Sequence, residues 1–325
     1  MMKRTLSIAI AILAALPGTA AHAAEAYPAR PVRMIVPQAA GGNADAQARY
    51  IADRLSEALG KQFVVDNRAG ANGMIGMEIV ARSQADGYTL AAVPNTFTAT
   101  PALFAKVPYD ALKDFQGVSM ISASPMLMVA SPSLSAGTVK EVIALAKSRP
   151  GELNYGSSGN GGPTHLAGAL FELLAGVKLV HVPYKGITGS NLDVMAGRIP
   201  LGFASFLSSL PLVKAGKMKG LGITSKARSP LAPAIPTIEE AGVPRYEAAV
   251  WNGILAPSKT PRPIVNRLNA AIVSILTSPQ ARERYANVGA EIRYNSPDEF
   301  QVLIREETAK WASVVKAAGI RLDAQ

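Results

Sequence analysis

The chemistry open to this chain is limited by its reactive side chains: 325 residues include three histidines and no cysteine. Thiol catalysis, disulfides, lipid attachment and cysteine metal sites are excluded together. His22 lies in an N-terminal leader, which leaves His165 and His181. The tip Gly156-Ser157-Ser158-Gly159-Asn160 has the outline of a nucleophile elbow, but the G-x-S-x-G pattern requires glycine where Asn160 stands. His165, the base nearest to those serines in sequence, falls in the first turn of a helix, where the dipole lowers its proton affinity. His181 falls within an apolar strand, and both histidines read as structural. Gly70-Ala71-Asn72-Gly73-Met74-Ile75-Gly76 misses the glycine spacing of a dinucleotide site, and no glycine-rich turn continues into G-K-[ST]. Two distant histidines, with no carboxylate run of calcium-loop spacing, leave no metal site. No cofactor is expected. Hydroxyl and amide groups at loop tips suit binding; an exported serine hydrolase of α/β type, with His165 as base to Ser157 or Ser158, stands as the alternative.

What the chain offers in place of reactive side chains is main chain. Val32 to Val36 is a short β-branched run that Pro37 closes, and Ala44 to Leu59 carries Ile51, Leu55 and Leu59 at helical spacing until Gly60 stops it. The loop between them, Gln38-Ala39-Ala40-Gly41-Gly42-Asn43, has almost no side chains. Its N–H groups can approach a guest closely, at the positive end of a helix. A second loop has the same grammar. Asn154 to Ser158 leads into Gly159-Asn160-Gly161-Gly162, and Pro163 and Thr164 open a helix with Leu166, Leu170, Leu173 and Leu174 on one face and Gly176 at its end. Two such loops imply two α/β lobes that present strand ends and helix N-termini to a shared cleft.

The elements that must position these loops follow along the chain. Lys3 and Arg4, an apolar stretch from Ser7 to Leu16 too short to span a bilayer, and Ala21-His22-Ala23 read as a secretory signal peptide over 1–24, cleaved after Ala23 or Ala24. The 33 basic residues outnumber the 23 acidic ones, but the excess is scattered. A nucleic-acid footprint would be clustered and interleaved with aromatics, so nucleic acid is not expected as a partner; a diffuse positive field suits the capture of small anions. Strand signals alternate with helical ones, the mark of an α/β architecture. Strands at Gln62 to Asp66 and Tyr88 to Val93 would bring Asn67 to Gly73, and Asn95 with Thr96, to the cleft rim. A further strand is expected at Lys178 to Val182. Val118 to Ala130 reads as one extended crossing between lobes and Val250 to Ala256 as the return. Thr138 to Glu141 and Thr237 to Glu240 are capping boxes, and Thr260, Ser278 and Ser296, each followed by proline, open helices. The last helix, with Phe300, Leu303, Ile304, Trp311, Val314, Val315 and Ala318 on one face, is expected to complete lobe one. The lobes are drawn accordingly as 25–125 with 249–325, and 126–248.

At these motifs the chain resembles a known family. Arg30-Pro31-Val32-Arg33 through Val36-Pro37 and Ala39-Ala40-Gly41-Gly42 to Asp45, Val64-Val65-Asp66-Asn67-Arg68, Asp86-Gly87-Tyr88-Thr89-Leu90, Tyr155-Gly156-Ser157-Ser158-Gly159, His165-Leu166-Ala167-Gly168, His181-Val182-Pro183-Tyr184-Lys185-Gly186 and Trp251-Asn252-Gly253 look like the Bug family. These are the extracytoplasmic solute-binding receptors of tripartite tricarboxylate transporters. The resemblance extends along essentially the whole chain after the leader. It implies a type II periplasmic binding protein fold, two α/β lobes joined by two crossing strands and closing over a small organic carboxylate. It further implies a periplasmic location, the membrane subunits of a tripartite transporter as partners, and no catalysis. In such proteins main-chain groups and ordered waters of the lobe-one loop hold one carboxylate. That places Gln38, Ala39, Ala40, Gly41, Gly42 and Asn43 on one side and Ser157, Ser158, Gly159, Asn160 and Thr164 on the other, with Thr96 at the rim.

Asp45 and Asn67 are assigned a loop-bracing role, as side chains able to satisfy exposed backbone donors. The family usually has an aromatic where Gln38 stands, Thr or Ser near Ala44, and an Asp-Asn pair where Ala204 and Ser205 follow Phe203. Without an acid at Ala204 a ligand bearing an ammonium would lack a partner, so a polar, non-amino carboxylate bound by a monomer is expected. An inducer-binding regulator of the same fold would need a DNA-binding segment ahead of the first lobe, where the leader stands instead.

Overall fold

The computed structural model describes residues 27–287 and 290–322; the expected signal peptide lies outside them. Strand β1 (Val32–Val36) is buried except for the half-exposed Arg33, as a strand with neighbours on both sides must be. It pairs in parallel with β2 (Phe63–Asn67) and β3 (Thr89–Pro94). Strands β4 (Phe115–Ser124) and β10 (Val250–Pro257) run antiparallel to each other. With the short β11 (Glu291–Ile292) they complete a sheet ordered β11-β4-β10-β3-β1-β2. The second sheet contains β5 (Met126–Ala130), β6 (Asn154–Ser157), β7 (Val180–Pro183), β8 (Leu201–Ser205) and β9 (Lys219–Ile223), ordered β7-β6-β8-β5-β9.

The helices are α1 (Asn43–Leu59), α2 (Met74–Ala81), α3 (Thr96–Leu103), α4 (Val139–Ser148), α5 (Pro163–Ala175), α6 (Ile187–Met195), α7 (Phe206–Lys214), α8 (Arg262–Leu276), α9 (Pro279–Asn287) and α10 (Pro297–Ala318). Among the described residues no helix is long and apolar enough to cross a membrane. Helix α1 packs Ala48, Ile51, Ala52 and Leu55 on Val32, Met34 and Val36 of β1. Gly60 ends it at φ 71°, the left-handed conformation that glycine adopts without steric cost. The turns after β1, β3 and β6 leave the carboxyl ends of parallel strands, where open α/β sheets bind ligands.

The expected crossing at Val118 to Ala130 is two strands rather than one. Pro125 splits it, because proline has no N–H to give a ladder, and β4 and β5 belong to different sheets. On the return, the Ala248 N–H donates to Thr224 O beside the second sheet, and two residues later Val250 pairs with Ser124 in the first.

Other sequence signals land differently from their expectation. Thr237 and Glu240 make both capping-box bonds, yet these close a turn and no helix follows. Pro261, not Thr260, occupies the cap of α8. The strand expected at Lys178 to Val182 is β7, shifted to Val180–Pro183.

The last helix was expected to complete lobe one, and half of it does. Phe300 and Ile304 pack with Phe97, Phe115 and Trp251. Trp311, Val314 and Val315 join a cluster that holds both Ala99 and Leu103 of α3 and Leu166, Leu170 and Tyr155 of the second lobe. A helix of 22 residues is about 33 Å long, more than one small lobe needs, so its far end reaches across.

Phe300 is fully buried over Gly117 and Gly253 on neighbouring strands β4 and β10, and a Cβ at Gly117 would meet its ring at 2.7 Å. Phe300→Ala is expected to lower unfolding free energy by about 3–5 kcal/mol, and Gly253→Ala by about 1–3 kcal/mol, both read as urea midpoints.

Candidate functional site

The first turn is held by side chains that point into the protein. Asp45, 3% exposed, accepts the Gly41 N–H at 2.9 Å, Arg49 Nε at 3.0 Å and Asn67 Nδ2 at 2.9 Å. The Asn67 amide also donates to Gln38 O at 3.1 Å, while Arg49 donates to its oxygen at 2.8 Å. Gly41 takes φ +85°, which a side chain would disfavour. Burial alone would raise the pKa of Asp45, but the bonds from Arg49, Gly41 and Asn67 and the Arg49 charge hold it below the usual carboxylate range. Gln38 to Asn43 are all exposed at the start of the 17-residue helix α1. Among the described residues the N–H groups of Ala39, Ala40 and Asn43 bond to no acceptor, while that of Gly42 turns back toward Ala39 O. Three free donors beside the positive end of a helix are the kind of main chain that can take an anion.

The second turn has the same sequence grammar and the opposite hydrogen-bond economy. The N–H of Ser158 goes to Thr164 Oγ1 at 2.8 Å, that of Gly159 to Ser157 Oγ at 3.1 Å, that of Gly161 to His165 Nδ1 at 2.9 Å and that of Gly162 to Gly159 O at 3.4 Å. Four of its amides are spent on its own hydroxyls, ring and carbonyl, and that of Asn160 bonds to no acceptor among the described residues, so it is a stiffer lip with fewer free donors. Gly161, at φ +69°, lies against Leu103 and Leu322 of the first lobe, where an added Cβ would come within 2.5 Å of Leu322.

The two turns share a cavity of about 410 Å³. Gln38, Ala39 and Thr96 line it from the first lobe and Gly161, Gly162 and Pro163 from the second. Gly70, Asn72, Gly73 and Phe97 supply a further wall, and no ionisable side chain lines the cavity. Larger hollows of about 540 and 600 Å³ open around Pro125, but neither turn lines them.

Ala40, Gly41, Gly42 and Asn43 form the exposed rim of the same turn. Asn160 and Ser205 are exposed on the second lobe, whereas Ser157 and Ala204 are at most 1% exposed and Thr164 is 6%. The hydroxyls of Ser158 and Thr164 bond each other at 2.8 Å. Ser157, Ala204 and Thr164 therefore shape the second lobe from within. Asn72, Gly161 and Gly162 were not singled out as site residues. The signal for Asn72 was present in its glycine-flanked run, but not its φ of 54°, nor its amide contact to Thr100 Oγ1 at 3.3 Å.

A Ser–His pair does exist, with a different partner from the one the sequence offered. Ser157 Oγ lies 2.6 Å from Nε2 of His181, whose ring stacks on His165 with centroids 3.6 Å apart. Ser157 is wholly buried, so no substrate carbonyl can reach it. Burial holds His181 at about 4; burial and then the adjacent ring hold His165 at about 3, so burial rather than the helix dipole is the main cause. This pair braces a loop. Among the described residues no group of three or more His, Asp or Glu side chains is placed to hold a metal ion.

With this geometry in place, the comparisons with known proteins are specific. The family described as tripartite tricarboxylate transporter family receptor matches residues 47–320. The chain belongs to this family. BugT of Bordetella pertussis is 36% identical over 99% of both chains. The R. palustris protein Rpa4515, solved with adipate, superposes with a TM-score of 0.73 at 39% identity, covering 91% of this chain and all of that one. A TctC solute-binding protein from Polaromonas, solved without ligand, gives 0.82 at 27% identity over 90% of this chain and 99% of that one. The fold is therefore the two-lobed periplasmic binding architecture, and the family consists of solute-binding receptors, not enzymes.

Because both histidines have pKa values below the usual 6.5, the unfolded chain takes up protons first as pH falls. Their stabilising contribution is complete above about 6.5 and is lost on the way down to about 4 and 3. His165→Asn keeps an acceptor near Gly161 but does not titrate. It is expected to flatten the loss of stability between pH 6.5 and 4, measured as urea midpoints against wild type.

Proposed function

We propose that this receptor grips a small organic carboxylate with the main chain of its first turn, closes the second turn over it, and delivers it to the membrane subunits of a tripartite transporter. The observation that carries the reading is the set of unspent N–H groups at Ala39, Ala40 and Asn43, in a turn held by Asp45 and Asn67. Gln38 and Thr96 add polar contacts from the first lobe, and Asn160 and Ser205 from the second. Ser157, Ser158, Gly159 and Thr164 set the shape of the lip, and Ala204 supports Ser205 from beneath.

The lobes are taken as 25–125 with 249–325, and 126–248, with hinges at Pro125 and at Ala248 to Val250. Closure is driven by the ligand's contacts to both lobes, which only the closed state makes together. The receptor acts as an exported monomer, with its signal peptide cleaved after Ala23 or Ala24, and needs no cofactor or nucleic acid.

The lack of any acid in the cavity lining argues against a ligand with an ammonium group, which would be buried without a partner. The related R. palustris protein holds adipate, so six-carbon acids lead the test. In a thermal-shift panel of mono-, di- and tricarboxylates with matched amides and amino acids, the cognate acid at 100 times its Kd stabilises the protein by about 2.7 kcal/mol. The expected result is a rise in Tm of several degrees with a carboxylate and none with its amide. Equal shifts with acid and amide, or shifts with amino acids alone, overturn the reading.

A further inference from the structure

A continuous line of polar side chains runs from the first turn to the crossing strands. Asn252 Nδ2 donates to Ser122 Oγ at 3.2 Å, Ser122 Oγ donates to Gln47 Oε1 at 2.6 Å, and Gln47 Nε2 donates to Asn43 Oδ1 at 3.0 Å. Ser122, Gln47 and Asn252 are 0%, 3% and 6% exposed, while Asn43 is exposed at the start of α1. The apolar stripe of α1 already fills its contact with β1, so an amide at Gln47 adds nothing to packing that Met or Leu would not. A buried amide carries a desolvation cost.

In the structure the line runs outward, from Asn252 through Ser122 and Gln47 to Asn43. Ser122 has one hydroxyl proton, and it goes to Gln47. The Gln47 oxygen faces Ser122, so its NH₂ faces Asn43. Asn43 turns its own oxygen inward, which leaves its NH₂ outside, beside the main-chain donors of the turn. Among the described residues this NH₂ bonds to no acceptor. Were Asn43 free to turn over, its carbonyl oxygen would face the anion and repel it.

We propose that Gln47 is a positioning residue for the anion site: it locks the Asn43 amide so that its N–H groups, not its oxygen, meet the ligand carboxylate. The inference rests on the carboxylate reading above. Ser122 and Asn252 continue the line into the protein, and Asn252 lies in β10.

The test is a double-mutant cycle on the mature protein with calorimetric Kd values, the probe being whichever of adipate, malate and hexanoate binds wild type most tightly. Gln47→Met is expected to weaken binding about tenfold in the wild-type background and less than twofold when Asn43→Ala is already present. A loss of the same size in both backgrounds, or none in either, overturns the proposal while leaving the carboxylate reading intact. Binding of none of the three acids to wild type overturns both. Asn43→Asp serves as a second measurement, independent of how well Gln47→Met folds. An acid in the first turn of a helix supports the helix, so its urea midpoint is expected to hold or rise while affinity falls about a hundredfold. Unchanged affinity in Asn43→Asp overturns the proposal.

Discussion

The hydrogen bond from the Gly41 N–H to Asp45 fixes the geometry of the first turn, on which the proposed anion site depends. A turn of Ala, Ala, Gly and Gly has little steric reason to prefer one shape, so its donors would point in many directions. Asp45 removes that freedom by tying the centre of the turn to the first helical turn, and Asn67 ties its beginning to β2. The carboxylate is itself matched by Arg49 and Asn67, so its charge is largely answered before any ligand arrives. A buried acid beside a site for acids is tolerable only on those terms.

The two glycine-rich turns show how the same backbone grammar yields different chemistry. Around the first, Asp45 takes the Gly41 N–H and the N–H groups of Ala39, Ala40 and Asn43 are left without an acceptor among the described residues. Around the second, Ser157, Thr164 and His165 supply acceptors at short range, and most of its N–H groups are taken. The stacked histidines hold that turn from behind, which explains why they are buried and neutral. A rigid lip with few free donors can press on the far side of a ligand without competing for its carboxylate.

The lobes are joined by more than two strands. Helix α10 starts on the first sheet and ends in the core of the second lobe, and Glu307 lies midway along it. Its carboxylate accepts Trp311 Nε1 at 2.9 Å, pairs with Lys310 and meets the Asn95 amide, which also donates to Ala249 O at the return crossing. Closure has to pivot about this contact or repack it, because interdigitated cores have discrete arrangements rather than continuous ones.

Residue pattern was enough to read the α/β class and the strand–turn–helix units around β1 and β6, because these are set by neighbours close in sequence or by local periodicity. The absence of cysteine and the failed nucleophile motif likewise needed no coordinates. What sequence did not settle was decided by partners distant in the chain. Pro125 separates two strands only because two sheets exist to receive them. Trp311 packs between α3 and α5 because both lie within its reach, and Ser157 meets His181 because β6 and β7 pair. Whether an N–H in a glycine-rich turn is free or spent depends on which acceptors the fold brings beside it, and no local pattern of residue types encodes that.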